Sequence, residues 1–362
     1  MRPAERFGVL REPNYRRLFW GRTISLVGDG LAPVALAFAI LDLTGSISDL
    51  GLVLAGRSLV ITALVLVGGV FADRVSPRLA MLRADLTRML VMGAMAALLI
   101  GGVAQIWELA LLYAIEGAAT AFFNPASNAI VPQIVKAARL QEANALLNLS
   151  RSAGKVAGPA LAGLLLALGT PGWALAFDAT TFALSAAFLL RLHAPRTRIG
   201  EETAFVSELR HGWREFSSRS WLWVVVLSAA VTNAIFFPAF QVLGPTVARS
   251  SLGGSSAWAL IVAALGVGSL AGGVLALTIR PRRPLLLGEG LVVLFALPVA
   301  LLALPSPAFV IALGALVAGF TISLAEIFYE TMAAQHVPRP RFRGWSPTTG
   351  SDPWRWSRSA WC

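Results

Sequence analysis

GGVFADRVSPRLAMLRADLTR, residues 68–88, sets Asp73, Arg74, Arg78, Arg83, Asp85 and Arg88 directly behind an apolar run that is nearly free of charge. A short, basic connection between two long apolar runs is what a chain shows where one membrane helix leaves the lipid and the next enters it. Composition points the same way. Of 362 residues, 56% are hydrophobic and only 14% charged, with a mean hydropathy of +0.70, whereas an ordinary soluble domain carries about 25% charged residues.

Apolar runs recur at 19–41, 50–72, 80–103, 106–123, 143–168, 173–191, 221–243, 257–279, 285–304 and 308–332. Each is close to the ~20 residues that cross a bilayer as a helix. Helix is the conformation that satisfies every backbone group within the segment, and these runs are too long and too evenly apolar for barrel strands. The expected fold class is therefore an all-α polytopic membrane bundle with about ten transmembrane helices.

With the amino terminus inside, the inner connections hold Arg74, Arg78, Lys136, Arg139, Arg191, Arg196, Arg198, Arg210, Arg214, Arg219, Arg280, Arg282 and Arg283. The outer connections hold little beyond Asp42, Asp49, Glu108 and Arg249. This asymmetry predicts a multi-pass cell-membrane protein with a cytoplasmic amino terminus. It also accounts for the net charge of +11 without a nucleic-acid partner, because the arginines are spread over the connections rather than gathered on one module. The first run has no small-residue cleavage site and reads as a retained helix. The single cysteine, Cys362, permits no intrachain disulfide.

The expected organisation is a cytoplasmic tail (1–18), a six-helix bundle (19–192), a linker (193–220), a four-helix bundle (221–334) and an atypical tail (335–362). The linker places Phe205, Leu209, Trp213 and Phe216 at helical spacing, which predicts an amphipathic segment along the inner surface. An internal repeat relates the two bundles: GGVFADRVSPR from Gly68 and GGVLALTIRPR from Gly272 agree without a gap at Gly, Gly, Val, Ala, Pro and Arg. Both copies end the second span of a half in the same orientation, as parallel repeats require.

The opening stretch resembles the loop signature between the second and third spans of the major facilitator superfamily. Gly69, Ala72, Asp73, Arg74 and Arg78 fill its places, while Ser76 and Pro77 stand where the family more often has Gly and Arg. The resemblance implies that Asp73 latches the inner gate against the neighbouring half, with Asp85 and Arg88, one turn apart, joining that network. EPNYRRLFWGRTISLVGDG (12–30), AFFNPA (121–126) and AGKVAGPALAG (153–163) are similar to the drug and siderophore exporter branch. The last resembles an antiporter helix signature through Gly154, Gly158, Pro159 and Gly163, small residues that allow close helix crossing and a proline that allows a bend. What this implies is a monomeric secondary transporter that moves small amphipathic or hydrophobic compounds out by alternating access, in exchange for protons. The open alternatives are a non-transporting membrane protein, or a facilitator or importer of the same fold.

Ionisable side chains inside spans cost a few kcal/mol on insertion scales and mark function. Asp29 in the first span and Glu116 in the fourth are the candidate proton or substrate sites. Asp178, Glu326 and Glu330, read as lying nearer the lipid boundary, are expected to be anchors. No arginine lies between Trp107 and Phe123, where exporters of this family often carry one. No phosphate-binding loop and no metal-ligand cluster stands out, and His193, His211 and His336 are dispersed, so neither an enzyme nor a cofactor is expected.

The carboxy-terminal text, RFRGWSPTTGSDPWRWSRSAWC, holds four of the 11 tryptophans and no apolar run. Codons compatible with it, read one base over from Phe342, yield Val-Ser-Arg-Val-Val-Ser-Tyr-Asp-Trp-Leu-Gly-Ser-Leu-Ala-Leu-Val-Pro-Leu-Gly-Leu, similar to a further loop and span. Two readings stay open: a frameshifted end in place of two helices of a twelve-span bundle, or a genuine basic, tryptophan-rich tail at the inner membrane surface.

Overall fold

A computed structural model describes residues 8–74, 76–136, 139–193, 236–276, 284–304 and 306–336, with positions 223, 227, 279 and 281. Side chains are described over the same residues apart from 65–74, 141, 237–238, 284–285, 289 and 330–336. The linker at 193–220 beyond His193, the tail from 337, and the side chains of Gly69, Asp73 and Arg74 thus lie outside the described residues.

Every described element is helical. A 3-10 turn, Gly8–Arg11, leads into α1 (Pro13–Thr44), α2 (Ile47–Arg74), α3 (Pro77–Ile100), α4 (Ile106–Ile134), α5 (Leu140–Leu168) and α6 (Pro171–Leu190). A second group follows: α7 (Phe237–Ser251), α8 (Ser255–Ala276), α9 (Pro284–Val292), which passes through a 3-10 turn into α10 (Ala296–Ala303), and α11 (Ala308–His336). Seven segments are long and apolar enough to cross a membrane, within α1, α2, α4, α6, α8, the α9–α10 pair and α11. Helices α3 and α5 match them in length but carry Arg83, Asp85 and Arg88, or Arg151 and Lys155, in their interiors. The protein is a multi-pass membrane protein of all-α class.

Local chemistry sets the ends. Pro13, Pro77 and Pro171 occupy first-turn positions, where the missing N–H costs nothing. Helix α1 stops at Gly45, whose φ of 66° is left-handed and whose N–H bonds the carbonyl of Leu41 at 3.0 Å. Two helices run past the apolar runs that announced them. Helix α1 begins at Pro13 and not near residue 19, because Tyr15 and Leu18 are buried and the Tyr15 hydroxyl donates to the Ala143 carbonyl at 2.7 Å. Helix α4 continues through Pro125 and Pro132 to Ile134, since Ala126, Ile130 and Val131 pack into the core beyond the point where the apolar run ends.

Packing reproduces the repeat. Helix α2, which carries its first copy, packs along α4; helix α8, at the start of the second copy, packs along α11. At that second crossing a Cβ on Gly268, Gly272 or Gly319 would collide with the backbone of the opposing helix. The two groups meet through α5 against α8 and through α1 and α2 against α7, and Arg249 on α7 pairs with Asp42 on α1 at 3.0 Å.

The buried apolar side chains fall into two clusters. One holds Val9, Tyr15, Leu18, Met81, Phe123, Ile130, Leu147 and Leu189 at one end of the first group. The other runs from Leu31 to Leu41 of α1 through Met92, Leu109 and Phe182 to Trp258, Ile261 and Ile311 of the second group. Along α1 the stretch from Arg22 to Asp29 lies between them, and there the charges collect.

Candidate functional site

Arg88 is the hub. It stands on α3 about 16 Å along the helix from Pro77, at 1.5 Å per residue, and its side chain is only 2% exposed. Its Nε donates to Glu116 Oε1 of α4 at 3.1 Å and its Nη2 to Asp29 Oδ1 of α1. Nη1 lies 3.8 Å from Asp85 Oδ1, one turn back on α3. The guanidinium plane rests on the Phe182 ring of α6, 4.2 Å from its centroid, with Phe123 at 5.5 Å on another side. Aromatic faces and three carboxylates together replace the water that a buried guanidinium gives up.

Glu116 is enclosed more completely. Arg57 on α2 reaches its Oε2 at 2.5 Å, Arg88 its Oε1, and Thr120, one turn on, donates to Oε1 at 2.7 Å. Arg57 in turn lies over the Tyr113 ring at 4.9 Å. Space for it comes from Gly117, where a Cβ would meet Arg57 at 3.0 Å. With two oxygens and three donors, Glu116 cannot exchange a proton without breaking an ion pair. Asp29 differs, since its side chain is 32% exposed against 2% for Glu116, and among the described residues Arg88 is its one ion-pair partner. Arg57, at 25%, is the other member reached from outside.

Two carboxyl groups complete the layer on the α6 side. Asp85 accepts from Ser185 Oγ at 2.6 Å while its Oδ1 has no hydrogen bond, and Asp178 accepts from Thr181 at 3.2 Å while its Oδ2 has none. Gly28 lets α1 lie against this pair, for a Cβ there would overlap Asp178 and Thr181. The expectation that Asp178 is a boundary anchor is therefore corrected: it is fully buried, because α6 turns that face toward α1 and not toward lipid. Glu326 is exposed, and the side chain of Glu330 lies outside the described residues.

The structure brings Asp29, Glu116, Asp85 and Arg88 together. Asp85 and Arg88 follow the loop signature in sequence, yet α3 carries them into the bundle, where they face α1, α4 and α6. Arg78 goes elsewhere: its Nε and Nη2 donate to the carbonyls of Leu189 and Leu190 at 2.8 and 2.6 Å, closing the last turn of α6. Gly154 and Gly158 form the α1 contact, where a Cβ would lie 2.7 Å from the Leu26 carbonyl oxygen and 2.6 Å from Gly30 Cα respectively. Pro159 is buried beside them, and Gly163 faces Ala259 of α8.

Arg57 and the buried Arg22 were not among the expected site residues, and Asp178 was expected at the lipid boundary. A charge within an apolar run was the available signal for Arg57 and Arg22. The arginine missing from the fourth span is met from α2 and α3, which each deliver a guanidinium to Glu116.

Known proteins place this architecture. The Major Facilitator Superfamily profile matches residues 18–344. The uncharacterized MFS-type transporter YfiS of Bacillus subtilis is 27% identical over 224 residues, 59% of this chain and 52% of that protein. YvqJ, an uncharacterized MFS-type transporter of the same organism, is 28% identical over 196 residues, 54% and 46% of the two chains. The chain thus spans about half the length of the curated relatives it matches. Among solved structures, the nucleoside transporter NupG superposes with a TM-score of 0.66 at 14% identity, covering 89% of this chain and 82% of that one. A D-xylose-proton symporter gives 0.64 at 17%, covering 91% and 82%. A bacterial homologue of the iron transporter ferroportin, in an inward-facing state, gives 0.67 at 16%, covering 90% and 85%. Similarity at this level of identity speaks for the fold, and the profile over most of the chain speaks for descent: the protein belongs to the major facilitator superfamily.

Proposed function

We propose that the chain is a proton-coupled exporter of small amphipathic compounds, working by alternating access, with Asp29 as the carboxyl group that trades its proton during the cycle. The superfamily is one of secondary transporters, and the coupling, the direction and the substrate class belong to this reading. The observation that carries it is the unequal enclosure of one charge layer. Asp29 keeps 32% of its exposure and one ion-pair partner among the described residues, while Arg88 and Glu116 behind it keep 2% each. Protonating Asp29 releases one hand of Arg88, which then has Glu116 and the half-satisfied Asp85 to turn to. A proton thereby changes how α1 is tied to α3, the kind of two-state contact that rigid-body rocking needs.

Orientation with a cytoplasmic amino terminus follows from the arginine distribution. In that orientation the Asp42–Arg249 pair closes the outer end between the two helix groups. The part given to Asp73 and Arg74 as an inner latch stays an element of the same proposal.

The test is transport by the purified full chain in proteoliposomes with an acidified lumen. Rhodamine 6G and 8-anilinonaphthalene-1-sulfonate serve as the cationic and anionic amphiphile. Accumulation of at least one dye that collapses when the pH gradient is dissipated, and that is lost in Asp29→Asn while gradient-free exchange persists, is the expected result. Accumulation unaffected by the gradient makes the protein a facilitator, and gradient-driven accumulation by Asp29→Asn removes Asp29 from the cycle.

A further inference from the structure

Helix α5 is exposed on two faces of opposite character. Leu149, Ala153, Ala157, Ala160 and Leu164 make one of them, and it is wholly apolar, as a face toward lipid must be. Asn144, Asn148, Arg151 and Lys155 make the other, at successive spacings of four, three and four residues that share one helix face. The first, second and last of these are exposed and Arg151 is partly so. On either side α5 is covered, by α1 at Gly154 and Gly158 and by α8 at Val156 and Gly163. The polar face thus looks out between α1 and α8, into the space shared by the two helix groups.

The depth of this face follows from the register of α1 on α5. Tyr15 bonds Ala143, Thr23 Oγ1 lies 2.8 Å from Ser150 Oγ, Leu26 meets Gly154 and Gly30 meets Gly158. The offset stays at 127 to 128 residues throughout. Lys155 is therefore level with Val27 and within a turn of Asp29, and Arg151 is level with Thr23, the residue next to Arg22. Lys155 stands about 22 Å into a helix of about 42 Å, at 1.5 Å per residue, so neither membrane surface is within easy reach of its ammonium.

Around these cations the charge is not balanced. Arg151 bonds the neutral acceptors Asn148 Oδ1 and Asn128 Oδ1 at 3.0 and 3.2 Å, and among the described residues neither it nor Lys155 has a carboxylate partner. Arg22 is 4% exposed, rests 5.4 Å from the Phe123 centroid, and its Nε and Nη1 are buried with no hydrogen bond. Unpaired cations in a membrane interior are costly and attract an anion.

We propose that Lys155, with Arg22 and Arg151 a turn below it, receives an oxyanion head group, so that the molecules handled are amphipathic organic anions. The inference rests on the transport reading and narrows its substrate class. Arg57 and Arg88 are already paired with carboxylates of the protein, Glu116, Asp29 and, for the Arg88 Nη1 that makes no hydrogen bond, Asp85 at 3.8 Å, which leaves the anion to the α5 face.

Three probes with one apolar body decide it: 1-pyrenebutyrate, 1-pyrenebutanol and 1-pyrenebutylamine, titrated against the full chain in nanodiscs of zwitterionic lipid, with tryptophan-to-pyrene energy transfer as readout. The expected result is binding of the butyrate at least about tenfold tighter than of the alcohol. Lys155→Gln brings that ratio near one without weakening the alcohol, Lys155→Arg restores it, and Arg22→Gln lowers it. Equal binding of all three, preference for the amine, or a butyrate preference that survives both neutral variants overturns the proposal. Transport is read apart from binding: selective butyrate binding by a chain that moves no probe across a vesicle upholds the anion site and ends the transport reading.

Discussion

Gly30 of α1 and Gly158 of α5 pass backbone against backbone, so closely that a Cβ on Gly158 would lie 2.6 Å from the Gly30 Cα. Overpacking such a crossing costs about 1–3 kcal/mol for a modest addition and more for a large one. Gly158→Ala is expected to lower the thermal midpoint of the purified protein by several degrees, and Gly158→Leu to prevent its recovery as a monodisperse species. Ala160→Leu, two residues on and facing outward, leaves the midpoint in place. Equal midpoints for Gly158→Ala and the unsubstituted chain contradict the close crossing.

Glu116 and Asp29 share Arg88 but differ in what their loss leaves behind. Glu116→Gln strands two guanidiniums, one of them 2% exposed, and breaking a buried pair in this way costs about 3–5 kcal/mol. Asp29→Asn removes the one carboxylate of the layer that water already reaches, and Arg88 keeps its bond to Glu116. Thermostability by fluorescence-detected size exclusion is expected to fall steeply in the first and slightly in the second. The reverse order sinks the hierarchy of enclosure described above.

Arg78 holds the end of α6 by bonding two successive carbonyls with one guanidinium fork. Hydrogen bonds from a charged donor contribute about 1.5–3 kcal/mol, and a lysine ammonium lacks the planar fork that spans both acceptors. Faster amide exchange over the last turn of α6 and the two residues after it, 186–192, is therefore expected in Arg78→Gln, with partial recovery in Arg78→Lys. Unchanged protection there would show that the cap carries no stability.

Asp42 and Arg249 join the two helix groups at one end of the bundle across 3.0 Å, yet both are largely exposed. An exposed pair contributes only about 0–1 kcal/mol, so Asp42→Asn is expected to change transport rates and leave the thermal midpoint unmoved. Cysteines at 42 and 249, in a chain with Cys362→Ser, bridged by a short reducible cross-linker, are expected to halt transport until the bridge is cut. Full transport by the bridged protein would mean that this end does not open.

The ten apolar runs, the repeat at Gly68 and Gly272 and the basic connections were legible in the sequence because hydropathy and charge are local properties, summed over a window about the thickness of a bilayer. The same logic singled out Asp29 and Glu116 as charges in costly places. It misjudged Asp178, and it grouped Asp85 and Arg88 with the loop signature because they follow it in the chain. Helix α3 rises about 12 Å between Pro77 and Asp85 at 1.5 Å per residue, which takes both side chains from the connection into the bundle.

Partnership was decided by tertiary structure alone. Arg57 and Glu116, and Arg88 and Asp29, are each 59 residues apart. They meet because glycines at 117, 154 and 158 let α4 close on the backbone of α2 and α5 on that of α1, while Gly28 leaves room for the Asp178 and Thr181 side chains of α6. No periodicity in the chain records which face of one helix another will cover. That choice belongs to the packing of all of them at once, and it turned scattered charges into a single layer with one carboxylate left within reach of water.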